Sequence, residues 1–94
     1  MPRSQEIVTV EPDTWTELTS GDALAGAKFQ ALDGVIAVRR GTDAQPAAAE
    51  TGWRYGTGQG ERVSDLSDIS GAAGNRLWGK SLGHTHVEVM VDHA

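Results

Sequence analysis

Three histidines and a glutamate crowd the end of this 94-residue sequence: His84-x-His86, Glu88 and His93. Alternate side chains of an extended strand share a face, so His84, His86 and Glu88 would converge on one point. Imidazole and carboxylate together suit a divalent ion such as zinc, and cupin-type sandwiches place such ligands on strands. The set lacks a fourth ligand, and histidines on a terminal strand are commonly solvated. The expectation is no metal and no cofactor.

The other constellations are poorer. There is no cysteine and no Gly-x-Ser-x-Gly elbow, so nucleophilic catalysis has no obvious carrier. Asp65 with Asp68, or Glu61 with Asp65, would make the carboxylate pair of a glycoside hydrolase, but each reads better as a solvated acidic turn. Gly56-Thr57-Gly58-Gln59-Gly60 has the glycines of a phosphate loop without Gly-Lys-Ser/Thr and without a long helix behind it. The chain is therefore expected not to be an enzyme.

Binding chemistry is better represented. Arg39, Arg40, Arg54, Arg62, Arg76 and Lys80 are interleaved with Trp53, Tyr55 and Trp78. One reading makes the aromatics a stacking platform for sugars or bases. The bland reading makes them core, with arginine stems covering them, because few other large residues exist to fill an interior. A third makes the arginines interface residues, since arginine and aromatics are enriched where proteins meet.

Composition narrows the partners. The net charge of −5 argues against nucleic acid and against an anionic membrane surface. No apolar run approaches the roughly 20 residues that span a bilayer. No export signal follows Met1–Ser4. The absence of cysteine fits, weakly, an intracellular origin.

The elements that must position these residues are short. Twelve glycines in one domain imply many turns and few long helices. Glu6–Val10 is a strand candidate stopped by Pro12-Asp13. Thr14–Thr19 reads as the next. Residues 22–27 suit a loop better than a marginal helical turn. Lys28–Leu32 and Val35–Arg40 flank Asp33-Gly34, a two-residue type I′ hairpin signal. Gly41–Thr51 is a long surface loop with little to fold on except something else. Trp53–Tyr55 and Glu61–Ser64 are brief strands, and residues 65–75 carry at most one helical or 3₁₀ turn. The last pair, Arg76–Ser81 and Thr85–Asp92, is expected to form a closing hairpin across Gly83. In the second of these, Val87, Val89 and Val91 alternate with Glu88, Met90 and Asp92, the clearest strand pattern in the chain. About seven or eight short strands predict an all-β fold, a small antiparallel β-sandwich or barrel. Residues 1–10 would be an N-terminal arm or edge strand and 11–94 the sandwich domain.

Several pieces together resemble one family: the hairpin ending Val38-Arg39-Arg40-Gly41-Thr42, the Pro46 loop, the Gly58-x-Gly60-Glu61 turn, Leu77-Trp78-Gly79-Lys80-Ser81 and the valine-alternating end. From Trp15 onward the chain resembles small β-sandwich virion proteins of tailed bacteriophages and gene transfer agents. Those serve as capsid decoration (cement) subunits or as bases of head fibres. The resemblance implies a structural protein at the capsid surface, a homotrimer whose partner is the major capsid protein. An end right after the last strand favours cement over fibre. Partner-binding residues would be Ile7, Val8 and Val10 of the arm, which would add to a neighbour's sheet edge, and the basic Arg39, Arg40 and Arg54, which would face an acidic capsid. The Gly41–Thr51 loop would join them. A carbohydrate-binding module with Trp53, Tyr55 and Trp78 as its platform is the alternative.

Overall fold

The structure, a computed structural model, describes residues 3–21, 26–63 and 75–93. Eight strands run in chain order: β1 (Glu6–Val10), β2 (Thr16–Glu17), β3 (Ala27–Ala31), β4 (Ile36–Gly41), β5 (Trp53–Tyr55), β6 (Gly60–Val63), β7 (Arg76–Ser81) and β8 (Val87–His93). They form two four-stranded antiparallel sheets, ordered β1-β8-β3-β6 and β2-β7-β4-β5. The fold is the expected all-β sandwich.

The strand order has a simple logic. β1 pairs with β8, β2 with β7, β3 with β6, and β4 with β5. The chain is thus one long nested hairpin, rolled so that its successive pairs fall in alternate sheets. β8 then closes on β3 and β7 on β4. This is the jelly-roll order, an all-β solution that recurs in viral capsid domains, lectins and cupins.

That rolling overturns both expected hairpins. β3 lies in one sheet and β4 in the other, and so do β8 and β7. A type I′ turn needs left-handed backbone at both central residues, and neither Asp33 nor Gly34 has it. The chain crosses between sheets instead. Leu32 N–H reaches the Glu88 carbonyl in one sheet, and Leu82 N–H reaches the Val35 carbonyl in the other. The Asp33 carboxylate accepts the Glu88 N–H at 2.9 Å and stitches the crossover. At the other crossing, the Ser81 hydroxyl donates to the Thr85 carbonyl and accepts the Gly83 N–H.

The core lies between the sheets. Val8, Val10, Phe29, Ala31, Val87, Val89 and Val91 come from one sheet, and Ile36, Val38 and Leu77 from the other, with Leu18 beside them. A second apolar cluster, Trp15, Ala37 and Trp78, sits on the outer face of β4 and β7. Residues 42–52 roof it. The Trp15 indole N–H donates to the Ala47 carbonyl, the Trp78 indole N–H to the Thr42 carbonyl, and Lys80 Nζ to the Ala48 carbonyl. Gln45 in turn donates to the Trp15 carbonyl, and Lys80 lies over the Trp15 ring. The loop does fold against something, and that something is its own sheet.

Candidate functional site

The strands β5 and β6 are the outer strands of their sheets on the same side of the sandwich. Register sets which way their side chains point. Trp53 opposes Val38 and Tyr55 opposes Ile36, so both aromatics share the core-facing side of β5. Glu61 opposes Phe29 and shares the core-facing side of β6. Tyr55 spans the gap. Its ring meets Phe29 edge-on, with centroids 4.9 Å apart and planes at 87°, and its hydroxyl donates to the Glu61 carboxylate. Burial first, then that hydrogen bond and the adjacent negative charge, push the Tyr55 hydroxyl above the ordinary phenol range. It therefore stays a proton donor through neutral pH.

Beside this bridge lies a cleft of about 410 Å³, walled by Phe29, Val38, Arg40, Tyr55, Glu61 and Leu77. Trp53 stands at its lip and is 76% exposed, the most exposed large apolar residue described. A second hollow that also touches Trp53 is lined by Arg39, Arg40, Thr51 and Gly52.

The turn that joins β5 to β6 holds this arrangement rigid. Gly58 N–H donates to the Ala31 carbonyl and Gln59 N–H to the Gly56 carbonyl, while Ala31 N–H donates back to Gln59. The Gln59 side chain accepts the Gly56 N–H, and Gln30 donates to the Gly58 carbonyl. Three of the amides that a phosphate loop would present are thereby spent. Gly60 meets β3 so closely that a Cβ there would lie 1.9 Å from the Phe29 carbonyl oxygen.

The expected site residues scatter. Ile7 is 53% exposed, but Val8 and Val10 are core. Those two side chains face inward because β1 is hydrogen-bonded along β8, of which it is the outer neighbour, so residues 6–10 form an edge strand and not a free arm. Arg39, Arg40 and Arg54 do not form one basic face. Arg39 opposes Trp78 and Arg54 opposes Ala37, on the outer side of the sheet, whereas Arg40 opposes Leu77 on the inner side. Arg39 is also engaged by Glu50 at 3.0 Å and by the Thr51 carbonyl.

Of the expected aromatic platform, Trp78 is buried, Tyr55 is half-buried and Trp53 alone is open. His84 and His86 fall in the exposed crossover before β8, not on the strand. Among the described residues no group of three or more His, Cys, Asp or Glu is placed to hold a metal ion. His93 is buried, and its Nε2 accepts the backbone N–H of Ser20 at 2.9 Å and of Arg3 at 3.2 Å. Asp65 and Asp68 lie outside the described residues.

Sequence reading missed Glu61 and Phe29 as companions of Trp53 and Tyr55. The only available signal was the Gly58-x-Gly60-Glu61 turn, which brings β6 back beside β5. Comparison with known proteins adds nothing to this geometry: no family model, no curated protein and no solved structure matches the chain.

Proposed function

We propose that this chain is a non-enzymatic virion structural protein, a capsid decoration subunit of a tailed bacteriophage or gene transfer agent. It binds the major capsid protein on the capsid surface, as a homotrimer, and stabilises the head lattice. The observation that supports this reading is the unequal finish of the two sheet faces. The outer face of β2-β7-β4-β5 is roofed by the chain's own residues 42–52. On the outer face of β1-β8-β3-β6, Ile7, Thr9, Lys28, Gln30, Arg62 and Asp92 are exposed and Met90 is half-buried.

Ile7 and Met90 are cross-strand partners and form the apolar centre of that face. Lys28 and Arg62, themselves partners, flank it together with Asp92, which opposes Lys28, and give it a charged rim of both signs. An apolar centre with a charged rim is the layout of a protein-docking patch. Many such patches on one lattice add through multivalency, so each contact can be weak. The jelly-roll order agrees with the reading only by analogy, because fold alone does not assign function.

The test is co-sedimentation with capsids lacking the subunit, together with light scattering for the trimer. Ile7→Asp and Met90→Lys change side chains that carry little of the core. They are expected to keep the unfolding midpoint and to weaken capsid binding at least about tenfold. Unimpaired binding by both variants, or turnover of any substrate, would remove the proposal.

A further inference from the structure

We infer that the cleft beside Trp53 is a binding site for a neutral saccharide, with one sugar ring stacked on the Trp53 indole. The inference concerns the opposite side of the sheet from the docking face and stands without it.

An indole that is 76% exposed on a short edge strand contributes little to the core. It is also held firmly, because β5 is paired with β4 and the turn after it is pinned to β3. A rigid, open aromatic face matches the C–H face of a pyranose, which is apolar and flat. The adjoining cleft, about 410 Å³, falls in the range of about 300–1,000 Å³ usual for ligand pockets. Its floor is apolar, from Phe29, Val38 and Leu77, and its wall carries the Tyr55–Glu61 pair.

That pair decides the class of occupant. A carboxylate has about four lone-pair sites, and the Tyr55 hydroxyl uses one. An apolar side chain pushed into the cleft would strip water from Glu61 without replacing its hydrogen bonds, which is costly for a charge. Arg39 and Arg40 also line the cleft, but Arg39 is engaged by Glu50 and the Thr51 carbonyl and Arg40 is engaged too, so an anion entering there meets the Glu61 carboxylate without a free arginine to offset it. A ring bearing neutral hydroxyls satisfies both parts: its C–H face covers the indole and its rim donates to Glu61.

The experiment is titration calorimetry with maltohexaose, cellohexaose, chitohexaose and β-1,4-mannohexaose, backed by tryptophan fluorescence. At least one probe is expected to bind saturably, with a Kd of about 1 mM or tighter. Trp53→Ala should lose at least about tenfold in affinity while keeping the wild-type unfolding midpoint. Trp53→Tyr, which keeps a ring, should retain part of the binding, and Glu61→Gln should weaken it about tenfold. The inference is overturned if no probe binds up to about 10 mM. It is equally overturned if binding survives Trp53→Ala, or is indifferent to Glu61→Gln. Capsid co-sedimentation of the Ile7 and Met90 variants reads the other face, so either reading can fail alone.

Discussion

Gly60→Ala is the sharpest test of the nested fold and of the site built on it. Position 60 opposes Gln30 at the start of β6. A Cβ there would lie 1.9 Å from the Phe29 carbonyl oxygen and 2.7 Å from the Gln30 Cα. Both are backbone atoms, so no side-chain rotation relieves the clash. Reaching ordinary contact requires β6 to move by more than about 1 Å, more than a close-packed interior absorbs freely.

Overpacking of this kind costs about 1–3 kcal/mol. The displacement also strains the hydrogen bonds on either side, Ala31 N–H to Gln59 and Gly58 N–H to Ala31, at about 1 kcal/mol each. A loss of about 3–5 kcal/mol follows, from a domain whose size implies a total of about 5–14 kcal/mol. For this chain length the midpoint of thermal unfolding should fall by about 12–40 °C. Circular dichroism on heating and urea titration both measure it. Gly21→Ala, at a position with nothing within 4 Å of the added carbon, is the matched control and should be near neutral. If Gly60→Ala unfolds within about 0.5 kcal/mol of wild type, β6 does not sit on β3 in this register and the site has no wall.

Three other outcomes are expected. Tyr55 is the only tyrosine, so absorbance at alkaline pH reads it alone; a phenol raised in the folded state resists ionisation, and the stability this carries is full below the unfolded value of about 10 and is lost as pH rises above it. Tyr55→Phe should flatten that alkaline loss and cost about 1 kcal/mol at neutral pH, measured by urea unfolding. Val10→Asp, which places a carboxylate at a fully buried position, should lose at least about 3 kcal/mol, whereas Ile7→Asp should stay within about 0.5 kcal/mol. Trp15→Phe removes the indole bond to Ala47 and should cost about 1–3 kcal/mol, with faster hydrogen exchange confined to residues 42–52.

What was legible in the sequence followed from burial, and what was not followed from pairing. Alternation in Val87–Val91 and in Phe29, Ala31, Ile36 and Val38 correctly marked inward faces, and all of these are core. The same alternation fits two arrangements: side by side in one hairpin, or face to face across a sandwich. In both, the apolar residues meet and the polar ones reach water, so period-two patterning cannot separate them. Asp33-Gly34 tipped the reading toward a hairpin, but local turn preference yielded to long-range closure of β3 on β8 and of β4 on β7. The candidate site suffers from the same blindness. Trp53 and Tyr55 alternate like core residues and do face inward, yet one is open because β5 is an edge strand, which is a property of sheet order.

The two sides of the sandwich, where its outer strands lie, show why the cleft is where it is. On the β1 and β2 side the chain closes itself with polar contacts: the His93 N–H reaches the Arg3 carbonyl, and Arg3 Nε donates to the Leu18 carbonyl at 2.6 Å. His93 Nε2 takes the Arg3 and Ser20 amides, so both described ends of the chain are tied to the segment after β2. On the β5 and β6 side the described closure is one aromatic bridge, Tyr55 between Phe29 and Glu61. A nested hairpin has its bend at β4 and β5, where the returning strand is short and the pairing is only three residues long. There is not enough strand at that end to cover the core with a full row of side chains. Trp53 is therefore left beside the opening instead of inside it. That geometry makes the binding surface a consequence of topology, and it predicts that lengthening the β4–β5 ladder, by Gly52→Val for example, would fail. A Cβ at position 52 would lie 2.8 Å from the Val38 carbonyl oxygen and 3.0 Å from the Trp15 ring. The substitution should destabilise by about 1–3 kcal/mol in urea unfolding; a stabilised variant would show that the short ladder is not imposed by the packing around it.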